Sequence, residues 1–352
     1  MKQRAYIILC LFLGSLLFAC QPGRRDAKLS ETHAKRGVVV YPSDIISIGS
    51  ANFVELIGKS DINLLGIHSN TITEDLSDLR SFIESEEGKS LLEECEEASV
   101  LVEFETHALQ ELLPRELFDN HPEYFRLDSD GIRNKDYNMC FTSDGAYREI
   151  EKNITEIAKW MKPSTHRYFF WTDDVEHSFC NCDSCKKYTG SEQALLFENR
   201  LLTFLRKTDP AASLAHLAYG STYRAPVNVK PLDGIFLEYA PINRDYSKPL
   251  SEEHLQNLEN NLQIFPENTA HILEYWLDAS MFSRWNRNNL TRIPWSRNNC
   301  ERDVKFYTGL GISSITTFGT WMINDDYIKK YGEDSTCSII REYGTLLKES
   351  LK

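Results

Sequence analysis

From Gly37 onward, short runs of β-branched and aromatic residues alternate with longer stretches whose apolar residues recur at helical spacing. The runs predict eight strands: Val38–Tyr41, Ile62–His68, Val100–Glu105, Arg167–Thr172, Leu214–Tyr219, Ile235–Tyr239, His271–Trp276 and Ile312–Phe318. The stretches between them predict helices over 74–96, 144–161, 191–207, 251–264 and 300–310, with a closing helix near 335–350. Within 191–207, for example, Leu201, Leu202, Phe204 and Leu205 share one broad face. Strands that alternate with helices build βαβ units around a parallel sheet. Eight such units predict an α/β fold of the (β/α)8 TIM-barrel type, one domain over 37–352. An open doubly wound sheet is the alternative, and it lacks its usual glycine-rich nucleotide turn here. Residues 220–233 contain Pro226 and Pro231 and leave little room for a helix. Residues 106–143 and 277–299 predict long loops over the barrel mouth.

The first residues follow another pattern. Lys2 and Arg4 precede an apolar run from Ala5 to Phe18, which ends at Ala19-Cys20. This is the layout of a secretory signal, and the run is short for a membrane span. Leu17-Phe18-Ala19-Cys20 also resembles the lipobox of bacterial lipoproteins. That resemblance implies removal of residues 1–19, acylation of Cys20 and anchoring in a lipid membrane. Gln21 stands where an aspartate would mark inner-membrane retention, so the outer membrane is expected, on either its periplasmic or its outward side. An ordinary signal peptide with a chance cysteine is the alternative. Residues 20–36 are polar and read as a lipid-anchored tether.

With 39 basic against 52 acidic residues the net charge is -13, and loss of Lys2 and Arg4 would make the chain more acidic still. Such a chain repels phosphate backbones, and no basic stripe reverses this, so nucleic acid is excluded as a partner. A mean hydropathy of -0.40 excludes a polytopic membrane protein.

In a barrel of this kind chemistry sits at the C-terminal ends of the strands. The predicted strand ends are rich in ionisable and aromatic groups: Tyr41, His68, Glu105 with His107, Trp171 followed by Asp173 and Asp174, Glu238-Tyr239, and Glu274-Tyr275-Trp276 with Asp278 beyond. Carboxylates are costly to bury unpaired, so these are expected to face a cleft. The alternative is that they pair with Arg244, Arg284 and Arg287. Flat aromatic faces stack on sugar rings while carboxylates bond hydroxyls, so an acidic aromatic cleft suits a neutral or cationic carbohydrate. Tryptophans that simply fill a core are the alternative.

Nine cysteines are present. Cys10 lies in the signal and Cys20 is the lipidation site, so seven remain. Cys180, Cys182 and Cys185 crowd the loop after the fourth strand. They read either as a structural zinc site, with His177 or a distant residue as fourth ligand, or as a disulfide with one sulfur left over, or as free thiols. Either staple would stiffen the loop that carries Asp173 and Asp174.

The run Tyr168–Cys185, an aromatic strand followed by Asp-Asp and C-x-C-x-x-C, is similar to the bacterial family called domain of unknown function 4838. So are His121-Pro122-Glu123-Tyr124-Phe125, Met139-Cys140-Phe141-Thr142-Ser143, Leu217-Ala218-Tyr219 with Ala225-Pro226, Phe236–Pro241, Leu273–Asp278 and Ser314–Gly319. The resemblance spans residues 110–330 and implies a TIM barrel grouped with glycoside hydrolases, in a family whose activity is unsettled. A β-rich domain ahead of the barrel, present in many relatives, is not expected here.

These observations lead to an expected glycoside hydrolase acting on an oligo- or polysaccharide. One carboxylic acid must protonate the leaving oxygen, and a second carboxylate must attack or activate water; no cofactor is required. Asp174 is the expected acid, its pKa raised by the like charge of Asp173. Glu274 is the expected nucleophile or base, with Glu238 next. Tyr41, His68, Glu105, Trp171, Tyr239, Tyr275, Trp276, Asp278 and Trp321 are expected to bind substrate. Two other classes stay open: a non-catalytic glycan-binding lipoprotein on a hydrolase-like barrel, and a metal-dependent hydrolase using His68 and His107, which lack H-x-H or H-E-x-x-H spacing.

Overall fold

A computed structural model describes residues 34–69 and 76–351. The expected signal, Cys20 and all but the last residues of the tether lie outside the described residues. Eight strands close into one barrel: β1 (Lys35–Val40), β2 (Leu64–His68), β3 (Leu101–His107), β4 (Arg167–Trp171), β5 (Ser213–Ala218), β6 (Ile235–Tyr239), β7 (His271–Glu274) and β8 (Ser314–Phe318). Every neighbouring pair is parallel, and β8 closes on β1 with Lys35 beside Ser314 and Val39 beside Phe318. The fold is therefore the (β/α)8 TIM barrel that the alternation predicts. Strands in such a barrel are buried on both faces, one filling the interior and one packed under helices, so they read as continuous apolar runs.

The N-terminal end of the barrel is plugged by charge. Arg167 grips Glu103 through Nε to Oε1 at 2.8 Å and Nη2 to Oε2 at 2.9 Å. The guanidinium also lies over the rings of Phe169 and Phe236, 5.3 and 5.0 Å from their centroids. A paired, fork-matched and aromatic-stacked arginine is the form in which a charge can sit inside a barrel.

The predicted helix over 74–96 is two helices, Leu76–Glu84 and Glu86–Glu97. Ser85 breaks the chain and caps the second helix, its Oγ accepting the Gly88 N–H at 3.0 Å. The turn is so tight that a Cβ on Gly88 would stand 2.0 Å from the Phe82 carbonyl oxygen. Between β5 and β6 the chain makes only a 3-10 turn, Gly220–Thr222, as the two prolines suggest. Residues 108–143 are mostly loop, as expected, broken by one four-residue helix (Leu109–Leu112), two 3-10 turns and two antiparallel contacts, Phe125 with Met139 and Leu127 with Arg133. No helix of the described residues is long and apolar enough to cross a membrane.

The last helix, Glu333–Ser350, lies across the bottom of β1, where Tyr343 donates its hydroxyl to the Gly37 carbonyl at 2.8 Å. Gly344 permits the approach, because a Cβ there would stand 1.7 Å from the Ser60 carbonyl oxygen. Gly344→Ala is expected to lower stability by about 1–3 kcal/mol by forcing the helix outward. A lower urea midpoint at unchanged slope is the result that checks it.

Candidate active site

At the C-terminal face the strand ends surround a shallow, open cleft. Its floor is aromatic, built from Tyr41, His68, His107, Trp171, Tyr275 and Phe318. His68 sits among them, its ring 5.9 Å from Tyr41, 6.1 Å from His107, 5.4 Å from Trp171 and 5.5 Å from Phe318. Tyr275 stacks on Phe318 at 5.2 Å. Burial, with the nearby His107 adding to it, pushes the His68 imidazole down to about 3, so it is neutral at working pH. Its Nδ1 bonds the Ser69 carbonyl. His107 Nδ1 donates to the Thr172 carbonyl at 2.6 Å and so braces the loop that follows β4.

Two carboxylates line this cleft, Asp174 and Asp278. Asp174 is exposed on the β4 loop, and its Oδ2 accepts the Tyr219 hydroxyl at 3.5 Å. Asp278 lies beyond β7 and caps the short helix Ala279–Phe282. Its Oδ1 accepts backbone N–H groups of Ser280 at 2.9 Å and Met281 at 3.1 Å, and hydroxyls of Ser280 at 2.5 Å and Thr320 at 2.6 Å. Burial raises its pKa and those bonds oppose the rise. A second depression shares Asp174, Tyr219, Ile242 and Trp285 with the cleft and continues past Glu176 and Asn243. Asp174 thus stands where two parts of one trough meet.

Asp173 differs from expectation. It is buried, its Oδ2 held by Arg115 Nη2 at 2.6 Å and by the Asn138 backbone N–H. Its charge is matched by an arginine, so it does not crowd Asp174 with an unpaired like charge. It ties the β4 loop to the segment after β3.

Glu274 also differs. Residues along β7 alternate, Leu273 facing the cleft and Glu274 facing outward beneath the helix Arg297–Gly309. Its Oε1 accepts Arg244 Nη1 at 2.8 Å and the Tyr307 hydroxyl at 2.5 Å, while Arg244 Nη2 bonds Asp303 at 2.6 Å. Burial lifts Glu274 to about 7 and Arg244 opposes the rise. This is a sealed ion-pair network, with no face on the cleft.

Glu238 and Glu105 point into the barrel but lie under the floor, both fully buried. Trp171 Nε1 donates to Glu238 Oε2 at 2.8 Å, so the indole separates the pair from the cleft. Gly66 makes room for Glu105, since a Cβ there would stand 2.8 Å from Oε1. Burial pushes Glu238 up to about 8, and burial with the charges of Glu238 and Glu103 raises Glu105 well above the carboxylate range. Both groups are therefore held as acids when folded and ionise at ~4.3 when unfolded. The folded chain binds more protons over that interval, so their contribution to stability is full at low pH and is lost as pH climbs from there through about 8. Glu238→Gln, which keeps an acceptor for Trp171, is expected to leave stability at pH 5 nearly unchanged and to raise it at pH 9 by more than ~1 kcal/mol. Thermal unfolding of both proteins at the two pH values checks this, and parallel curves would refute it.

Three aromatic expectations fail similarly. Tyr239 faces outward, its hydroxyl donating to the His254 carbonyl at 2.7 Å and meeting that of Tyr223. Trp276 is buried against Tyr343 of the last helix, with ring centroids 6.1 Å apart. Trp321 lines a separate depression, under the Arg287 guanidinium at 5.2 Å. Tyr41, His68, Trp171, Tyr275, Asp174 and Asp278 do meet in the cleft. Tyr219, Phe318 and Trp285 join them without being among the expected site residues, although Tyr219 and Phe318 end predicted strands, and His107 was expected there only as a strand-end group or metal ligand. Ser191, His216 and Glu198 form a nucleophile-like chain, Ser191 Oγ to His216 Nε2 at 3.1 Å and Nδ1 to Glu198 at 2.6 Å, but all three are buried where the inner face of the Gly190–Thr208 helix packs on β5.

Cys180, Cys182 and Cys185 are joined by Cys140, not by His177, which is exposed. No disulfide joins these four, and their sulfurs lie within 4.8 Å of one another.

Solved structures with similar folds include glycoside hydrolases. A β-galactosidase from the Antarctic haloarchaeon Halorubrum lacusprofundi aligns at TM-score 0.54 and 11% identity, covering 89% of this chain and 58% of that one. An O-GlcNAc hydrolase of Thermobaculum terrenum aligns at 0.53 and 10%, covering 91% and 61%. A GH20 catalytic module of the pneumococcal exo-β-D-N-acetylglucosaminidase aligns at 0.51 and 9%, covering 92% and 86%. This chain spans about three-fifths of the first two, and at such identities the fold is what is shared. No curated protein matches the sequence. The family described as "Domain of unknown function (DUF4838)" matches residues 80–317, from the first helix after β2 to the last strand of the barrel. The chain belongs to that family, on a (β/α)8 TIM barrel.

Proposed function

We propose that this protein is a glycoside hydrolase that cleaves an oligo- or polysaccharide, with Asp174 and Asp278 as its working carboxylates. The observation that carries the reading is that these two line a single aromatic-floored cleft at the C-terminal face, where barrel enzymes do their chemistry. Asp174 is exposed and held by one long hydrogen bond, so its carboxyl is free to approach the leaving oxygen as acid. Asp278 is fixed through Oδ1 by four donors, which leaves Oδ2 as the oxygen it offers to the anomeric carbon or to a water. A sugar ring would stack on the floor of Tyr41, Trp171 and Tyr275, and Trp285, 54% exposed, offers a platform further along the trough. The glycosidases among similar structures support a carbohydrate substrate. This scheme calls for no cofactor.

The same reading places the enzyme at the cell envelope, exported by residues 1–19 and held by acylated Cys20 on the tether 20–36. Fractionation with membranes, lost in Cys20→Ala, is the expected sign of that anchor. The activity itself is tested by incubating the soluble form that starts after Cys20 with aryl glycosides and plant, algal and host oligosaccharides. Product release supports the enzyme. Silence, with one sugar still raising the melting temperature, supports a glycan-binding protein instead.

A further inference from the structure

Cys140 comes from the segment after β3 and meets three cysteines of the loop after β4. Its sulfur lies 3.7 Å from that of Cys182 and 3.9 Å from that of Cys185. An ion with four thiolate ligands at ~2.3 Å sets its sulfurs about 3.8 Å apart in a tetrahedron. A disulfide needs ~2.05 Å between two sulfurs and leaves the other two aside. The backbone is arranged for a metal knuckle: the N–H groups of Cys185 and Lys186 both donate to the Cys182 carbonyl at 2.9 Å. The Leu127 N–H points to Cys180 Sγ at 3.3 Å, and Thr142 Oγ1 lies 3.4 Å from Cys185 Sγ. Gln193 braces the loop, its Oε1 accepting the Cys180 N–H at 3.1 Å and its Nε2 donating to the carbonyls of Cys180 and Tyr188 at 3.2 Å. Donors aimed at sulfur stabilise thiolates, as outer-shell partners of metal sites do.

We propose that Cys140, Cys180, Cys182 and Cys185 bind one structural zinc ion. The four thiols release their protons on binding, and the four thiolates fill the tetrahedron, leaving no open position for chemistry. The ion joins the segment after β3 to the loop after β4. The Arg115–Asp173–Asn138 contacts cross the same seam, so metal and ion pair together hold the stretch that ends in Asp174.

The test is the metal content of the full-length chain purified without chelator. One zinc per chain is expected, released in step with modification of four thiols by a mercurial reagent. Cys140→Ser is expected to weaken zinc binding by more than the ~10–100-fold that loss of an outer-shell partner causes. Cys140→His, which restores a ligand, is expected to recover it, and Cys337→Ser, outside the cluster, to leave it unchanged. If Cys140→Ser does not fold, the parent chain loaded with cobalt serves, and the ligand-field bands of a tetrahedral tetrathiolate are the expected spectrum. Zinc well below one per chain with four reactive thiols, a mass lowered by two hydrogens per bridge, or iron in place of zinc would each overturn the assignment.

Discussion

Asp174→Asn is expected to lower kcat on natural glycosides by about 10²–10⁴-fold, the usual contribution of a general acid. The folded state has little to lose from it. Asp174 is exposed, and its one hydrogen bond among the described residues, to Tyr219, is long at 3.5 Å, so the melting temperature should stay where it is. A dinitrophenyl glycoside, whose leaving group departs without a proton, separates the roles. If Asp174 is the acid, the variant recovers much of its rate on that substrate. If Asp174 only holds the sugar, the loss is the same on both substrates and appears in KM. Asp278→Asn should lose rate on both, because the second carboxylate acts on the anomeric carbon whatever the leaving group.

Arg244→Met is the second large effect, and it falls on stability. Arg244 is buried between two carboxylates, Glu274 at 2.8 Å and Asp303 at 2.6 Å, with its guanidinium over Tyr246 at 4.7 Å. Removing the cation leaves two buried acids facing each other, and one member of a buried pair usually costs about 3–5 kcal/mol. Thermal unfolding should show that loss, growing as pH rises through the region near 7 where burial holds the Glu274 proton. Glu274→Gln should be milder, since the Tyr307 hydroxyl keeps an acceptor. Below its unfolding transition this variant should hydrolyse substrate within a few-fold of the parent. A complete loss of activity in a folded Glu274→Gln would return Glu274 to the chemistry.

The barrel was legible in the sequence because its strands are short apolar runs separated by amphipathic stretches, and β6 falls at Ile235–Tyr239 as the pattern predicts. The inward or outward sense of each strand was not. A strand buried on both faces shows no polar alternation, so Glu274 and Tyr275 look alike in sequence although one pairs with Arg244 and the other lines the cleft. Adjacent Asp173 and Asp174 looked like a crowded pair for the same reason: the arginine that separates their roles is Arg115, 58 residues away. Cys140 was hidden too, being 40 residues before Cys180 and brought beside it only by the fold. The single helix expected over 74–96 failed on a local signal that could have been read, since Ser85 three residues before Gly88 is a cap and a tight turn.

The most direct measurement is hydrolysis of the glycoside panel by the soluble chain and by its Asp174→Asn and Asp278→Asn variants, with melting temperatures taken in parallel. One class of natural glycoside should be cleaved by the parent and at least about 10²-fold more slowly by each variant, all three remaining folded. Cleavage that survives both substitutions, or a panel left intact while a sugar raises the melting temperature, would contradict this.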